Sequence, residues 1–197
     1  MDSHATRPSL LARLRDTADD GAWREFDERY RELILRYCRL RGLQSSDAED
    51  VRQNVLVSLA SSMKRFQYDP SRGRFHAYLG RVVGNAIRRL MHQQRQHPHT
   101  GGPVEAAQDP GTDHDALDEL WEREWIAHHY RTAFESLQRS LEPRSLAIFE
   151  RLLIGDSPET TAQAFQVHVD AVYKVKQRVR ARMEQLIAQQ IREETGE

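Results

Sequence analysis

The sequence predicts an all-α protein: two small helical domains joined by a flexible linker, the second domain containing a helix-turn-helix. Three observations carry that expectation. Apolar residues recur at three-and-four spacing through most of the 197 residues, the period of a helix with one buried face. No strand-like alternation of useful length occurs. One segment, residues 97–115, is rich in Pro, Gly and Asp and has no period, as a flexible connection does. It divides a domain of residues 8–96 from one of residues 117–192, with 97–116 as an acidic linker between them.

The elements follow in order. Trp23, Phe26, Tyr30, Leu33, Ile34, Tyr37 and Leu40 lie on one helical face, and Gly42 offers a C-terminal stop. Ser46 with Glu49 three residues later has the form of a capping box and predicts a helix over 47–63, burying Val51, Val55 and Leu59. Asp69-Pro70-Ser71-Arg72-Gly73 reads as a turn. A helix over 74–92 follows, with Phe75, Leu79, Val82, Val83, Ala86 and Leu90 inward. Beyond the linker the pattern predicts helices over 117–140, 143–153, 158–165 and 169–190. Ser157-Pro158 caps and starts the third of these, because proline suits the first helical position.

Composition excludes several classes of function. No run of eighteen apolar residues is present to span a membrane, and the first residues lack the apolar stretch of a signal peptide, so a cytoplasmic protein is expected. Cys38 is alone, which rules out a disulfide within the chain and fits a reducing compartment. Nine histidines invite a metal hypothesis, but most lie in or near the linker, and His128-His129 are adjacent and cannot both face one site on a helix. No HExxH, CxxC or phosphate-loop glycine pattern occurs, so no enzyme, no metal and no cofactor is expected.

What remains is the sorting of charge. The chain is near neutral, at −1, yet residues 70–104 hold no Asp or Glu while they hold Arg72, Arg74, Arg81, Arg88, Arg89 and Arg95. A second acid-free run holds Lys174, Lys176, Arg178, Arg180 and Arg182. Two such surfaces suit one long polyanion contacted at two places. At 100° per residue, Arg74, Arg81, Asn85, Arg88 and His92 project within roughly a 60° sector opposite the apolar face, and Tyr78 borders them. Arginines hold phosphates, a ring stacks an exposed base and an amide reads a base edge, which together make a single-strand-binding surface. In the last helix Val172, Val175, Val179 and Met183 face inward. Asp170, Tyr173, Lys174 and Gln177 face outward, with Arg178 and Arg180 placed for flanking phosphates of a duplex. On the helix over 47–63, Asp50, Gln53, Asn54 and Val57 form a polar patch around one exposed valine, suited to protein contact.

These blocks resemble the bacterial RNA polymerase sigma factors of the small, two-domain, extracytoplasmic-function type. Asp47-Ala48-Glu49-Asp50-Val51-Arg52-Gln53 is similar to the signature of their polymerase-binding helix. The block from Phe66 to Phe75 with Leu79 and Asn85 is similar to the one that melts and reads the −10 promoter element, and Ala171 to Arg180 to the −35 recognition helix. The resemblance implies that Asp50, Gln53, Asn54 and Val57 contact the coiled coil of the polymerase β′ subunit. It implies that Arg74, Tyr78, Arg81, Asn85, Arg88 and His92 hold separated −10 strand, and that Asp170, Tyr173, Lys174, Gln177, Arg178 and Arg180 meet −35 duplex. The linker, with Glu105, Asp109, Asp113 and Asp115, would thread toward the polymerase active-site cleft. An anti-sigma partner is admitted by the resemblance and not identified by it. The turn departs from the pattern: the usual Leu-Gly-x-Ser reads Phe165-Gln166-Val167-His168, without its glycine and serine cap, and Thr160-Thr161 replaces the usual Glu before Ala162. The competing reading is a conventional helix-turn-helix transcriptional regulator, which leaves the α-helical patch at Asp50 and the single-strand stripe without a purpose.

Overall fold

In a computed structural model, the structure describes residues 10–64, 75–96 and 114–195. Among the described residues every regular element is a helix: α1 (Leu10–Arg13), α2 (Asp20–Leu40), α3 (Ser45–Met63), α4 (Phe75–Gln96), α5 (His114–Ser140), α6 (Pro143–Leu153), α7 (Pro158–Phe165) and α8 (Val169–Thr195). The chain is all-α. Arg74, the turn at Asp69–Gly73 and the linker residues Glu105, Asp109 and Asp113 fall outside the described residues. Two compact units are present, one running through His128 and taking in the chain from Glu193, the other His129–Arg192.

In the first unit α3 packs against both α2 and α4. The apolar faces expected from the sequence close on one another: Phe26, Tyr30, Leu33 and Ile34 from α2, Val51, Val55, Leu59 and Met63 from α3, and Phe75, Leu79, Val83 and Ile87 from α4 are all within 2% of complete burial. Val82 and Leu90, expected inward, are only partly buried and pack at the margin of this core. Leu10, Leu11 and Leu14 close one side of it, and Arg13 ties that short segment down through Asp19 (3.1 Å) and Glu25 (2.7 Å). Asp19 also caps α2, its carboxylate accepting the Ala22 N–H at 2.8 Å. Its carboxyl lies below the usual range, chiefly through the Arg13 hydrogen bond. The lone Cys38 is wholly buried, and desolvation pushes its thiol up to about 12.

Two expectations are corrected here. α3 begins at Ser45 behind an extended Gln44 that makes no side-chain cap, so Ser46 lies in the first turn and no capping box forms. Glu49 turns sideways instead, accepting hydrogen bonds from Arg31 (3.0 Å) and Arg52 (2.9 Å). The second difference is α5, which starts at His114 and contributes to both units. Trp121 and Trp125, 4% and 7% exposed, belong to the first unit's core, so the compact units divide at His128 and not at residue 117. A tryptophan buries on the order of 150–250 Å², enough to decide which unit a helical turn joins.

The second unit centres on Leu137, Ile148, Ala162, Val172, Val175 and Val179, with Phe134, Phe149, Leu152 and Met183 around them. Ser157 Oγ accepts the Thr160 N–H at 3.1 Å and Pro158 opens α7, as the sequence leads one to expect. α7 ends in a turn, Gln166-Val167-His168, that leads into α8. Gln166 adopts the left-handed conformation, φ 52° and ψ 48°, that glycine would take more easily.

Candidate polymerase and nucleic-acid interfaces

α4 presents the stripe the sequence foresees. Phe75, Leu79, Val83, Ala86 and Ile87 bury its inner side, while Arg81, Asn85, Arg88 and His92 are exposed. The arginines have no acidic neighbour within the helix, which contains no Asp or Glu from Phe75 to Gln96. Arg88 donates to the Asn85 side-chain carbonyl, so cation and amide stand side by side on one surface. Tyr78 is half-buried at the edge: its hydroxyl hydrogen-bonds Ser62 Oγ at 2.7 Å, and its ring lies 6.2 Å from that of Phe75. His92 meets Gln96 at 2.9 Å. A helix face with several cations, an amide and an aromatic edge, and no carboxylate, attracts phosphate and offers a base something to stack on and bond to.

On α3, Asp50, Gln53, Asn54 and Val57 are exposed together, and Val57 is 68% exposed among polar neighbours. Val51, Val55 and Leu59 lie on the buried side. Beneath the patch is a residue the sequence reading missed. Arg52 is only 9% exposed and joins α3 to α2, donating to Asp27 and to Glu49. These hydrogen bonds raise the Arg52 pKa and lower that of Glu49. The network fixes the pitch at which α3 shows its outer face. An arginine directly after Val51 in the Asp47–Gln53 block, one helical step from an apolar position, was its only signal in the sequence.

On α8, Val172, Val175 and Val179 are buried and Met183 is partly buried. Asp170, Tyr173, Lys174, Gln177, Arg178 and Arg180 are all exposed. Arg180 pairs with Glu184 at 3.0 Å one turn on. The missing serine cap has a substitute: His168 Nδ1 accepts the Asp170 N–H at 3.3 Å. The two histidines at positions 128 and 129 are both buried and diverge: His128 lies 6.3 Å from the Tyr30 ring in the first unit, and His129 Nδ1 meets Gln190 at 2.7 Å in the second.

Residues 26–97 match the family model for sigma-70 region 2. Over that span, 72 of the 197 residues, the chain is similar to sigma-70 region 2. The matched span takes in α2 from Phe26 onward, all of α3 and all of α4, and so holds both the patch at Asp50 and the stripe at Arg81. Sigma-70 factors act in transcription initiation, together with core RNA polymerase and promoter DNA. α5 to α8 lie beyond the matched span. No curated protein matches the chain. No helix among the described residues is long and apolar enough to cross a membrane.

Proposed function

We propose that this protein is a sigma-70 factor of the small two-domain, extracytoplasmic-function type, directing core RNA polymerase to promoters by reading one element as duplex and another as separated strand. Asp50, Gln53, Asn54 and Val57 are the contact for the β′ coiled coil. Tyr78, Arg81, Asn85, Arg88 and His92, with Arg74, hold the separated −10 strand. Asp170, Tyr173, Lys174, Gln177, Arg178 and Arg180, on the second helix of a helix-turn-helix formed by α7 and α8, meet the −35 duplex. The observation that carries this reading is the acid-free, exposed stripe on α4 lying within the region 2 match. The chain does no covalent chemistry in this scheme; binding energy from polymerase and from the separated strand supplies the work of melting.

Reconstituted transcription with core polymerase tests the division of labour. Replacing Lys174 and Gln177 with Ala should weaken upstream footprinting, at about 1–3 kcal/mol for a lost base-edge contact. Replacing Arg81, Asn85 and Arg88 should leave the upstream footprint and impair opening, and a template carrying a pre-melted bubble at the downstream element should partly restore activity. Rescue of the first variant by the bubble, or loss of the upstream footprint in the second, would overturn the assignment. Asp50→Arg should abolish core binding while changing stability by about 0.5 kcal/mol or less, because the position is exposed. Tight, sequence-specific binding of the free protein to promoter duplex, with no affinity for core enzyme, would favour a conventional regulator.

A further inference from the structure

The turn between α7 and α8 is braced from a third helix. Arg144 lies in the first turn of α6, and its guanidinium donates to the carbonyl of Phe165, the last residue of α7, at 3.0 Å. A cation in the first turn of its own helix opposes the helix dipole, whereas a cation at the C-terminal end of another helix suits it. The charge of Arg144 therefore serves α7 and not α6. Its base is firm: α6 packs against α7, and Ser145 and Ile148, beside Arg144 and one turn beyond it, are buried.

The turn has a use for such a brace. Gln166 is exposed and holds φ 52°, a conformation in which a Cβ crowds the carbonyl oxygen that follows. Gly42 and Gly155 supply positive φ after α2 and α6, and the arginine is found at the stop that lacks glycine. Within the turn the Gln166 N–H reaches the Gln163 carbonyl at 3.2 Å and the Val167 N–H the Ala162 carbonyl at 3.0 Å. The Phe165 carbonyl, one of the four at a helix end that have no helical donor, is met by the side chain of Arg144. Phe165, Val167 and Val169 pack on the core of the second unit, while Gln166 and His168 between them are exposed. α8 starts at Val169, so the turn aims everything beyond it. Gln177 lies about 12 Å along α8, and a tilt of about 10° at the turn would carry it about 2 Å aside, more than a hydrogen bond tolerates.

We propose that Arg144 is a positioning residue for reading the upstream duplex element: through the Phe165 carbonyl it stands in for the turn's missing glycine and sets the direction in which α8 leaves. The proposal rests on the promoter reading above. Arg144 touches no DNA in this role. It acts through the backbone of the turn, so its removal alters which sequence α8 prefers and not how many phosphates the protein neutralises. A glycine at position 166 would take away the strain that the guanidinium holds in place, so the two devices are alternatives.

The test uses holoenzyme reconstituted from the full chain and core RNA polymerase, with a duplex pool randomised at the upstream element as the probe. Arg144→Ala, Gln166→Gly and the variant carrying both are compared with the unmodified protein. Sequence preference is read from the pool, salt dependence from affinity for the best duplex, and folding from thermal unfolding. Arg144→Ala should lower the preference for the selected sequence over a one-base mismatch about threefold or more, part of what one base contact gives. The slope of log affinity against log salt should stay the same. Gln166→Gly alone should leave the preference unaltered, and in the double variant it should restore half or more of what Arg144→Ala loses. Uniform weakening over all sequences, with the slope reduced by about one, would make Arg144 a phosphate contact and overturn the proposal. So would a folded Arg144→Ala with unchanged preference, or a double variant no better than Arg144→Ala. Should Arg144→Ala unfold at the assay temperature, Arg144→Gln decides by the same criteria. An unmodified holoenzyme that selects no sequence from the pool would instead overturn the promoter reading, a result distinct from variants that lose preference beside a selecting parent.

Discussion

Arg52 shows how a residue inside a surface motif can belong to the interior. Its guanidinium lies between α2 and α3 with Asp27 and Glu49 as partners. Removing it leaves two carboxylates facing each other at a nearly closed seam. Arg52→Ala should therefore cost on the order of 2–3 kcal/mol, below the full value for a buried pair because Asp27 and Glu49 keep some contact with water. Urea unfolding of the variant measures it, and a loss under about 0.5 kcal/mol would show the network to be a surface decoration. Periodicity could not reveal this residue, because a charged side chain at an inward-leaning position is ordinarily read as a polar intrusion. The outward residues were legible for the opposite reason: Asp50, Gln53, Asn54 and Val57 need only helical geometry to be placed, and all are exposed. At His168 two interactions exclude each other. Nδ1 can accept the Asp170 N–H only when unprotonated, whereas its 3.1 Å approach to the Asp170 carboxylate is an ion pair only when protonated.

Three helices end in the same way. The residue after α2, α6 or α7 that adopts positive φ is Gly42, Gly155 or Gln166. In each case the following N–H reaches back to a carbonyl five residues earlier, Leu43 to Cys38, Asp156 to Arg151 and Val167 to Ala162. Two stops use glycine and one does not. Gln166→Gly should accordingly stabilise the second unit by up to about 1 kcal/mol, the relief of left-handed strain less the greater freedom of glycine when unfolded. Thermal unfolding of the variant checks the sign, and a lower midpoint would mean that the Gln166 side chain matters more than its backbone. Helix limits were legible where such punctuation exists, as at Pro143, Pro158 and Gly42. They were not legible at the start of α5, where Trp121 and Trp125 look like any helical pair and only their tertiary partners assign them. α1 was missed for want of length: it spans only Leu10–Arg13, and tertiary burial of its leucines holds it.

At the scale of the molecule, the first unit carries its own pH limits. Glu49 and Asp19 hold their charge to lower pH when folded, each held down first by an arginine hydrogen bond. Their contribution is complete above the usual carboxylate range, about 4, and is lost as pH falls through the depressed values. Cys38 acts at the other end. When unfolded it ionises near 9.0, but burial keeps it protonated to about 12. The unfolded chain therefore holds fewer protons there, and stability should fall as pH rises from about 9. Urea midpoints followed by a first-unit probe across pH should show both edges, with the alkaline one removed in Cys38→Ala; an alkaline edge unchanged in that variant would count against the thiol. Cys38 has another consequence. It is the chain's single cysteine, on the buried side of α2 with no exposed surface. A thiol reagent can modify it only during excursions that unseal the first unit, so the rate of labelling is a clock for those excursions, readable in the unmodified protein beside polymerase or DNA without attaching a dye.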